Sequence, residues 1–449
     1  MKRILILVLL ICFSSCSDEF LEKKSDKSII IPTTYKDLQS LLDNNVDAFN
    51  IDPSLGFIGS DDYTIEEMYW EYLYTAVERN GYTWNAEIYE GETGIDWNTP
   101  YKQVFYCNVI LERLTELNPS DAETETWNTL KGSALFFRSM AFFNLLQVYA
   151  VPYDVSDLEE KLGIPLRLTA DVNATITRAS LKESYDRLIA DLEESIPLLP
   201  LLPDYKTRPS QAAAYGLLSR VYLVMRNYEK AKEYSDSCLS ITGSLMDYNS
   251  LDPSKSRPIV QFNDEVILHS TQVTYGIRTD AYVNADIYAS YDNNDLRKTI
   301  FVNNDWGVPI FKGWYTGSSR LFSGIATDEL YLNRAECYAR MGDKDKALDD
   351  LNLLLRNRFV SGTFSPVTAS SAAEALVIIL NERRKELLFR NTRWSDLRRL
   401  NKETAFATTL TRTLNGSIYT LPPNDPRYTY PIPPDEILIS QIPQNTRQE

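Results

Sequence analysis

Histidine is nearly missing from this chain: His269 stands alone among 449 residues. One imidazole cannot build a His-rich zinc site, and no CxxC or HExxH pattern compensates. Ser–His–Asp catalysis would have to run through His269, which lies in a strand-like run beside Leu268 and Ser270 with no nucleophile elbow. A structural role is expected for it. Cysteine is scarce too. Past Cys16 only Cys107, Cys238 and Cys337 remain, each in a helical, apolar-periodic segment, so no disulfide scaffold is expected. A cationic surplus is also lacking: 46 Lys and Arg face 62 Asp and Glu, a formal net charge of −16. Nucleic acid is therefore not an expected partner. Beyond the first sixteen residues no run is apolar and long enough to span a bilayer. What is abundant is apolar and aromatic. The hydrophobic fraction of 44% supports a sizeable core, and 28 Tyr with 7 Trp supply amphipathic rings for core and surface alike.

The first residues predict a compartment. Met1, Lys2 and Arg3 precede an apolar run from Ile4 to Phe13, then Ser14, Ser15 and Cys16. This is a signal-peptide layout over residues 1–15, ending at a Cys after two small residues. Cleavage there would leave a mature chain lipidated on Cys16. Lipid would then be its only anchor, each buried methylene adding roughly 0.8 kcal/mol. Ser17, Asp18 and Glu19 open a polar stretch, and residues 16–34 read as a tether.

The body, residues 35–449, reads as one domain on a mainly α scaffold with a hidden repeat. In Ala212–Leu239, Tyr215, Leu218, Ser219 and Tyr222 share a helical face, and Ala231 follows nine residues after Tyr222. In Asp328–Leu355, Tyr331, Ala335 and Tyr338 are followed by Ala347 at the same offset. Small, aromatic and alanine positions so spaced are the tetratricopeptide signature. Asn227 and Gly342-Asp343 supply the turns between helices. Two degenerate units flank these, Ser133–Tyr149 with Leu181–Ile196 around an inserted loop (150–180), and Ala373–Phe389 with Arg393–Asn401. About four helix pairs thus run near 133–196, 212–240, 328–358 and 373–401.

Three insertions interrupt them, and stacked repeats carry insertions on one face, often the binding face. Residues 35–118 predict helices near Lys36–Leu42, Glu66–Tyr74 and Tyr101–Leu117. Residues 243–326 predict short strands at Pro258–Phe262, Glu265–Ser270, Arg297–Phe301 and Gly307–Lys312. An irregular arm rich in Pro and Tyr occupies 413–449.

The end of the chain carries the most specific pattern: Glu382-Arg383-Arg384-Lys385-Glu386-Leu387, then Arg393-Trp394 and Asp396-Leu397-Arg398-Arg399, then Tyr430-Pro431-Ile432-Pro433. With Trp97, Tyr101 and Asn108 on an early helix and Tyr291–Arg297 before the third pair, the chain resembles the SusD/RagB family over nearly its whole mature length. It departs at Arg390-Asn391, where an acidic residue and Gly are common, and in its terminal QNTRQE. The resemblance implies a lipoprotein facing outward from the cell outer membrane. It implies capture of a nutrient and delivery to a SusC-like, TonB-dependent transporter. Oligosaccharides are the implied ligands, with peptides as the alternative through RagB. No cofactor and no catalysis are implied.

Sugar rings stack their C–H faces on aromatic rings and offer hydroxyls to flat polar groups, each ring contact being worth about 0.5–1.5 kcal/mol. The first insertion offers Asp61, Asp62, Trp70, Trp84 and Asn85, with Tyr69 and Tyr82 nearby. The second offers Trp306, Trp314 and Tyr315. These are the candidate ligand residues. Trp70 and Trp97 have an alternative reading as core, and Trp127 and Trp394 are expected to be scaffold. Asp292, Asn294 and Asp295 form only a fragment of a calcium loop, so turn formation is expected there and no metal site. A retaining glycosidase would need two carboxylates roughly 5 Å apart, which counting acids cannot exclude.

Overall fold

The computed structural model describes residues 32–304 and 307–447. The predicted leader, Cys16, most of the tether and Trp306 lie outside the described residues. No described helix is long and apolar enough to cross a membrane.

The frame is a stack of helices: α1 (Tyr35–Leu42), α2 (Ile95–Glu116), α3 (Thr124–Tyr149), α4 (Leu181–Ser195), α5 (Gln211–Val224), α6 (Tyr228–Ile241), α7 (Thr327–Arg340), α8 (Lys344–Arg356), α9 (Ala372–Glu386) and α10 (Arg393–Leu400). Helix α5 pairs with α6, α7 with α8, and α6 packs in turn on α7. The small residues explain the close approach. Ala212, Ala213, Ala214 and Ser219 are fully buried. A side chain at Gly216 would meet Ile325 Cγ2 at 2.7 Å. The hydroxyls of Ser219 and Ser235 bond at 2.7 Å, and Asn333 Nδ2 donates to Ser219 Oγ at 3.1 Å, which ties three helices at one point. Both repeat turns share a geometry. A residue with positive φ, Arg226 at 60° or Gly342 at 86°, precedes a cap, Asn227 or Asp343, that accepts from a backbone N–H in the next helix.

The flanking units differ from expectation. Helix α3 runs from Thr124 and packs against both α2 and α4, so its buried face nearly encircles it. Helix α2 starts at Ile95, before Pro100, because the buried Asp96 carboxylate binds the Leu55 amide at 3.2 Å and the Tyr275 hydroxyl at 2.5 Å. Helix α9 lies on α7 and α8. Helix α10 instead turns away to pack on the short helix Leu55–Gly59, the chain breaking at Phe389 (φ 62°) and Asn391 (φ 61°). That approach is tight: a side chain on Gly59 would meet the Tyr430 hydroxyl and the Trp394 ring.

The insertions form one body. A four-stranded antiparallel sheet runs Tyr63–Thr64, Tyr282–Val283, Ile310–Phe311, Val302–Asn303, joining the first insertion to the second. The expected strand at Arg297–Phe301 is a helical turn, Arg297–Ile300, because fully buried Arg297 turns inward to Asp295, Glu382 and Glu386. Residues Pro258–Phe262 form no strand. The arm expected to be irregular opens as a hairpin, Leu410–Leu414 with Ser417–Leu421. Its two-residue loop has Asn415 at φ 49° and Gly416 at φ 73°, the type I′ geometry that Asn-Gly favours.

The signature charges of α9 and α10 are interior. Arg358 is fully buried and bonds Glu265 at 2.7 Å and Glu386 at 2.8 Å. Glu386 also receives Arg297 at 3.0 Å. Arg399 holds Glu336 at 2.6 Å and Asp396 at 2.9 Å, and Arg383 binds Asp396 from the other side at 2.7 Å. Burial alone would raise Asp396, but Arg383 and Arg399 outweigh it and hold the carboxyl below its usual range. This lattice fastens the last helices to the repeats and to the second insertion.

Candidate functional site

The first insertion folds into two short helices with a gap between them. Glu67–Glu71 ends at Tyr72, and Ala76–Tyr82 starts at a capping box in which Thr75 and Glu78 exchange hydrogen bonds. Trp70 turns inward, its Nε1–H donating to Arg79 O at 3.1 Å. Arg79 also donates to Leu73 O, and Leu73 is buried. With Trp70 and Leu73 drawn in, the side chains between them turn out. Tyr72 is 82% and Tyr74 93% exposed, beside Met68 at 55% and Tyr69 at 37%. Single exposed aromatics are ordinary, but here three tyrosines and a methionine are exposed within seven residues.

This platform is braced. The Asn415 amide donates to Glu67 Oε1 at 2.6 Å and Asn415 Nδ2 to Glu71 Oε1 at 2.9 Å, so the C-terminal hairpin holds the helix beneath the tyrosines. From the neighbouring strand Tyr282 comes within hydrogen-bonding reach of Tyr69 and Glu66. Partial burial, then these two neighbours, raise its hydroxyl above the usual range.

The residues named from sequence scatter. Asp61 is clamped by Arg393 Nε at 2.6 Å and Arg384 Nη2 at 2.9 Å. Burial acts to raise its carboxyl, but the two guanidinium groups outweigh that and hold it low. Asp62 is buried and raised, chiefly by desolvation, and its carbonyl accepts from the Asn284 amide. Asp61 moors the insertion to α9 and α10, and Asp62 faces Arg384 of α9 at 3.6 Å. Trp84 is buried with its Nε1–H on Gly59 O at 2.9 Å and the Arg412 guanidinium 4.5 Å above its ring, so it offers no face to a ligand. Tyr315 is likewise enclosed, its hydroxyl on Glu265 Oε2 at 2.5 Å and near Asp328. Asn85 is exposed, with its amide on Asn80 Oδ1 at 2.9 Å. Trp314 is half-buried, edge-on to Phe311 at 5.2 Å. Trp70 is half-buried.

A single helix expected from Glu66 to Tyr74 hides Tyr72 and Tyr74 among helical positions, whereas the helix ends at Glu71. The signal that would have found them is Thr75-Ala76-Val77-Glu78, a capping box that must follow a break. The alternation Tyr72, Leu73, Tyr74 then reads as an extended segment with two rings outward. Among the described residues no group of three or more His, Cys, Asp or Glu is placed to hold a metal ion.

Fold and site together define a tetratricopeptide-like scaffold whose insertions carry an exposed aromatic surface. A family model described as starch-binding, associating with the outer membrane, matches residues 19–223. The SusD family model matches residues 327–445, and a tetratricopeptide repeat model matches 212–244. The chain belongs to the SusD/RagB-like family. SusD-like protein P2 of Formosa agariphila is 21% identical over 389 residues, covering 72% of this chain and 74% of that protein. A SusD superfamily protein from Bacteroides thetaiotaomicron matches in structure with a TM-score of 0.75 at 22% identity, over 92% of this chain and 100% of its own. Surface glycan-binding protein A from Bacteroides fluxus matches with a TM-score of 0.70 at 18% identity, over 93% of this chain and 100% of its own.

Proposed function

We propose that this chain is a lipid-anchored glycan-binding protein of the outer membrane, facing the medium, that captures oligosaccharide and passes it to a SusC-like, TonB-dependent transporter. It carries out no chemistry on the ligand. The domain from residue 35 binds, while Cys16 and the tether hold it to the membrane. The observation that carries this reading is the braced tyrosine platform. Tyr69, Tyr72 and Tyr74 present amphipathic rings to solvent on a backbone already fixed by Trp70, Arg79 and Asn415, so little ordering cost opposes stacking on a sugar. Family membership and the glycan-binding name of the Bacteroides fluxus neighbour support the ligand class. Trp70 and Trp314, both half-buried, are assigned as flanking contacts, and exposed Asn85 as a polar one.

A second reading, peptide capture of the RagB kind, has one observation in its favour. Glu66, Glu67 and Glu71 are exposed around the tyrosines and suit a basic peptide. Titration with a panel of soluble polysaccharides and with a tryptic peptide digest separates the two. Saturable glycan binding that is lost in a Tyr72→Ala/Tyr74→Ala variant is the expected result. Peptide binding with no glycan response would replace the first reading with the second. Incorporation of labelled palmitate that disappears in Cys16→Ser, together with co-purification of a barrel transporter, tests the anchor and the partner.

A further inference from the structure

Away from the tyrosine platform, a cavity of about 280 Å³ opens where the start of the first insertion meets the second. Its wall is chemically unusual for this chain. None of the described residues lining it carries a carboxylate, although the sequence holds 62 Asp and Glu. Its one formal charge is Arg320, whose guanidinium makes no hydrogen bond or ion pair among the described residues. The buried arginines of the frame bond carboxylates or backbone carbonyls, whereas the Arg320 guanidinium stands at a cavity mouth with neither among the described residues.

The rest of the wall is shaped for a ring. Phe262 lines the opening, 43% exposed, and holds a φ of 57°, a left-handed conformation that costs energy for a bulky residue. Strain of that kind persists where the surrounding structure enforces it, and here it presents the phenyl ring at the mouth. Behind it His269 meets Phe262 edge-on at 4.9 Å. Two polar atoms in the wall, Asn50 Oδ1 and His269 Nδ1, are buried with no hydrogen-bond partner. Each unmade bond of this sort costs about 1–3 kcal/mol. Gln261 and Thr207 add neutral polar groups.

We propose that this cavity is a second saccharide site, selective for a carboxylate-bearing sugar, with Arg320 pairing the carboxylate and Phe262 stacking the ring. The sugar part of the assignment rests on the glycan reading above; the preference for an anion rests on the cavity alone. In a strongly acidic protein an acid-free wall with one free guanidinium is where a negative ligand meets least repulsion. The site would let the chain grip an acidic glycan at a point distinct from the tyrosines.

Because His269 is the sole histidine, its imidazole signals in the purified chain, made without an affinity tag of histidines, report on this cavity alone. Titration with D-glucuronate and D-galacturonate at constant ionic strength is expected to shift them saturably, while D-glucose and D-galactose leave them in place. Arg320→Gln, an exposed change that should fold normally, is expected to weaken the uronates about tenfold, the loss of one charge-assisted pair. Phe262→Ala should weaken them as well. Tyr72→Ala/Tyr74→Ala should leave the uronate response intact, so failure of this site and failure of the tyrosine platform give different results. Equal shifts from glucose and glucuronate, no shift at all, or an equal shift from N-acetylglycine as a peptide-like carboxylate would each overturn the proposal.

Discussion

The segment Met68–Tyr74 and the pair α9–α10 reverse the usual placement of residue types. The first is rich in aromatics that composition would send to a core, yet Tyr72 and Tyr74 stand almost wholly in solvent. The second is dense in arginine and glutamate that composition would send to the surface, yet Arg383, Glu386, Asp396 and Arg399 are buried. The difference lies in partners. Arg383 meets Asp396 from α10, Arg399 meets Glu336 from α7 and Glu386 receives Arg297 and Arg358, while Arg398 donates to backbone carbonyls at the end of α3. The exposed tyrosines are left over after Trp70 and Leu73 have taken the available interior. A buried charge is tolerable only when fully paired, whereas an exposed ring costs little and offers a contact. The frame therefore spends its polar groups on itself, and the platform keeps its rings for something else.

The largest expected effect comes from breaking the frame. Arg358→Ala leaves buried Glu265 without its cation and Glu386 with Arg297 alone, and should cost about 3–5 kcal/mol in urea unfolding, as should removing the enclosed Trp84 ring by Trp84→Ala. A loss below about 1 kcal/mol for either would erase the contrast, because that residue would then behave like a surface group.

Next is a pH effect within the frame. Burial, only partly offset by Ser323, Arg220 and Asn144, pushes Asp52 up to about 7. Its unfolded value is near 3.9. Between these limits the folded chain holds a proton that the unfolded chain releases, so this group's contribution is full below about pH 4 and is lost as pH rises through 7. Asp52→Asn should remove that slope, changing the pH 5 to pH 8 stability difference by an order of a few kcal/mol. Parallel curves for the two proteins would show that Asp52 is ionised throughout.

The platform should respond in binding rather than folding. Tyr72→Ala/Tyr74→Ala is expected to cost about 1–3 kcal/mol of glycan affinity, two stacking contacts, while stability stays within about 0.5 kcal/mol. A large stability loss with unchanged affinity would move these tyrosines to the side of the frame. Smallest is Gly416→Ala, which places a side chain at φ 73° in the hairpin loop. It should cost roughly 1 kcal/mol of stability. By loosening the Asn415 contacts to Glu67 and Glu71 it should also reduce ligand affinity a few-fold, measured in the same titration.

Much of the frame was legible. The offsets Tyr222 to Ala231 and Tyr338 to Ala347 marked two helix pairs, and Asn227 and Asp343 cap them as the turn chemistry requires. The ERRKEL and RWSDLRR patterns marked a conjunction that the structure places around Glu336, Asp396 and Glu386. The candidate site was legible only as a region. Trp84 and Tyr315 look like loop aromatics because their neighbours in sequence are polar, yet their neighbours in space are Arg412, Glu265 and Tyr248. Arg297 looks like the edge of a strand until Glu382 and Glu386, far along the chain, draw it inward. The Asn-Gly hairpin at 415–416 was readable from local turn chemistry and was masked by the surrounding prolines and tyrosines.

What the order of residues determined unaided is whatever depends on near neighbours: the helical periods, the small faces that let α5 and α6 touch, the caps, and the family signature at the end. Which rings face solvent was decided only when the chain closed on itself, since exposure is a property of the element that covers a side chain. Hydrophobic burial is non-directional, so many arrangements could have hidden Tyr72 and Tyr74. The specific bonds of Trp70, Arg79 and Asn415 selected the one that leaves them in view.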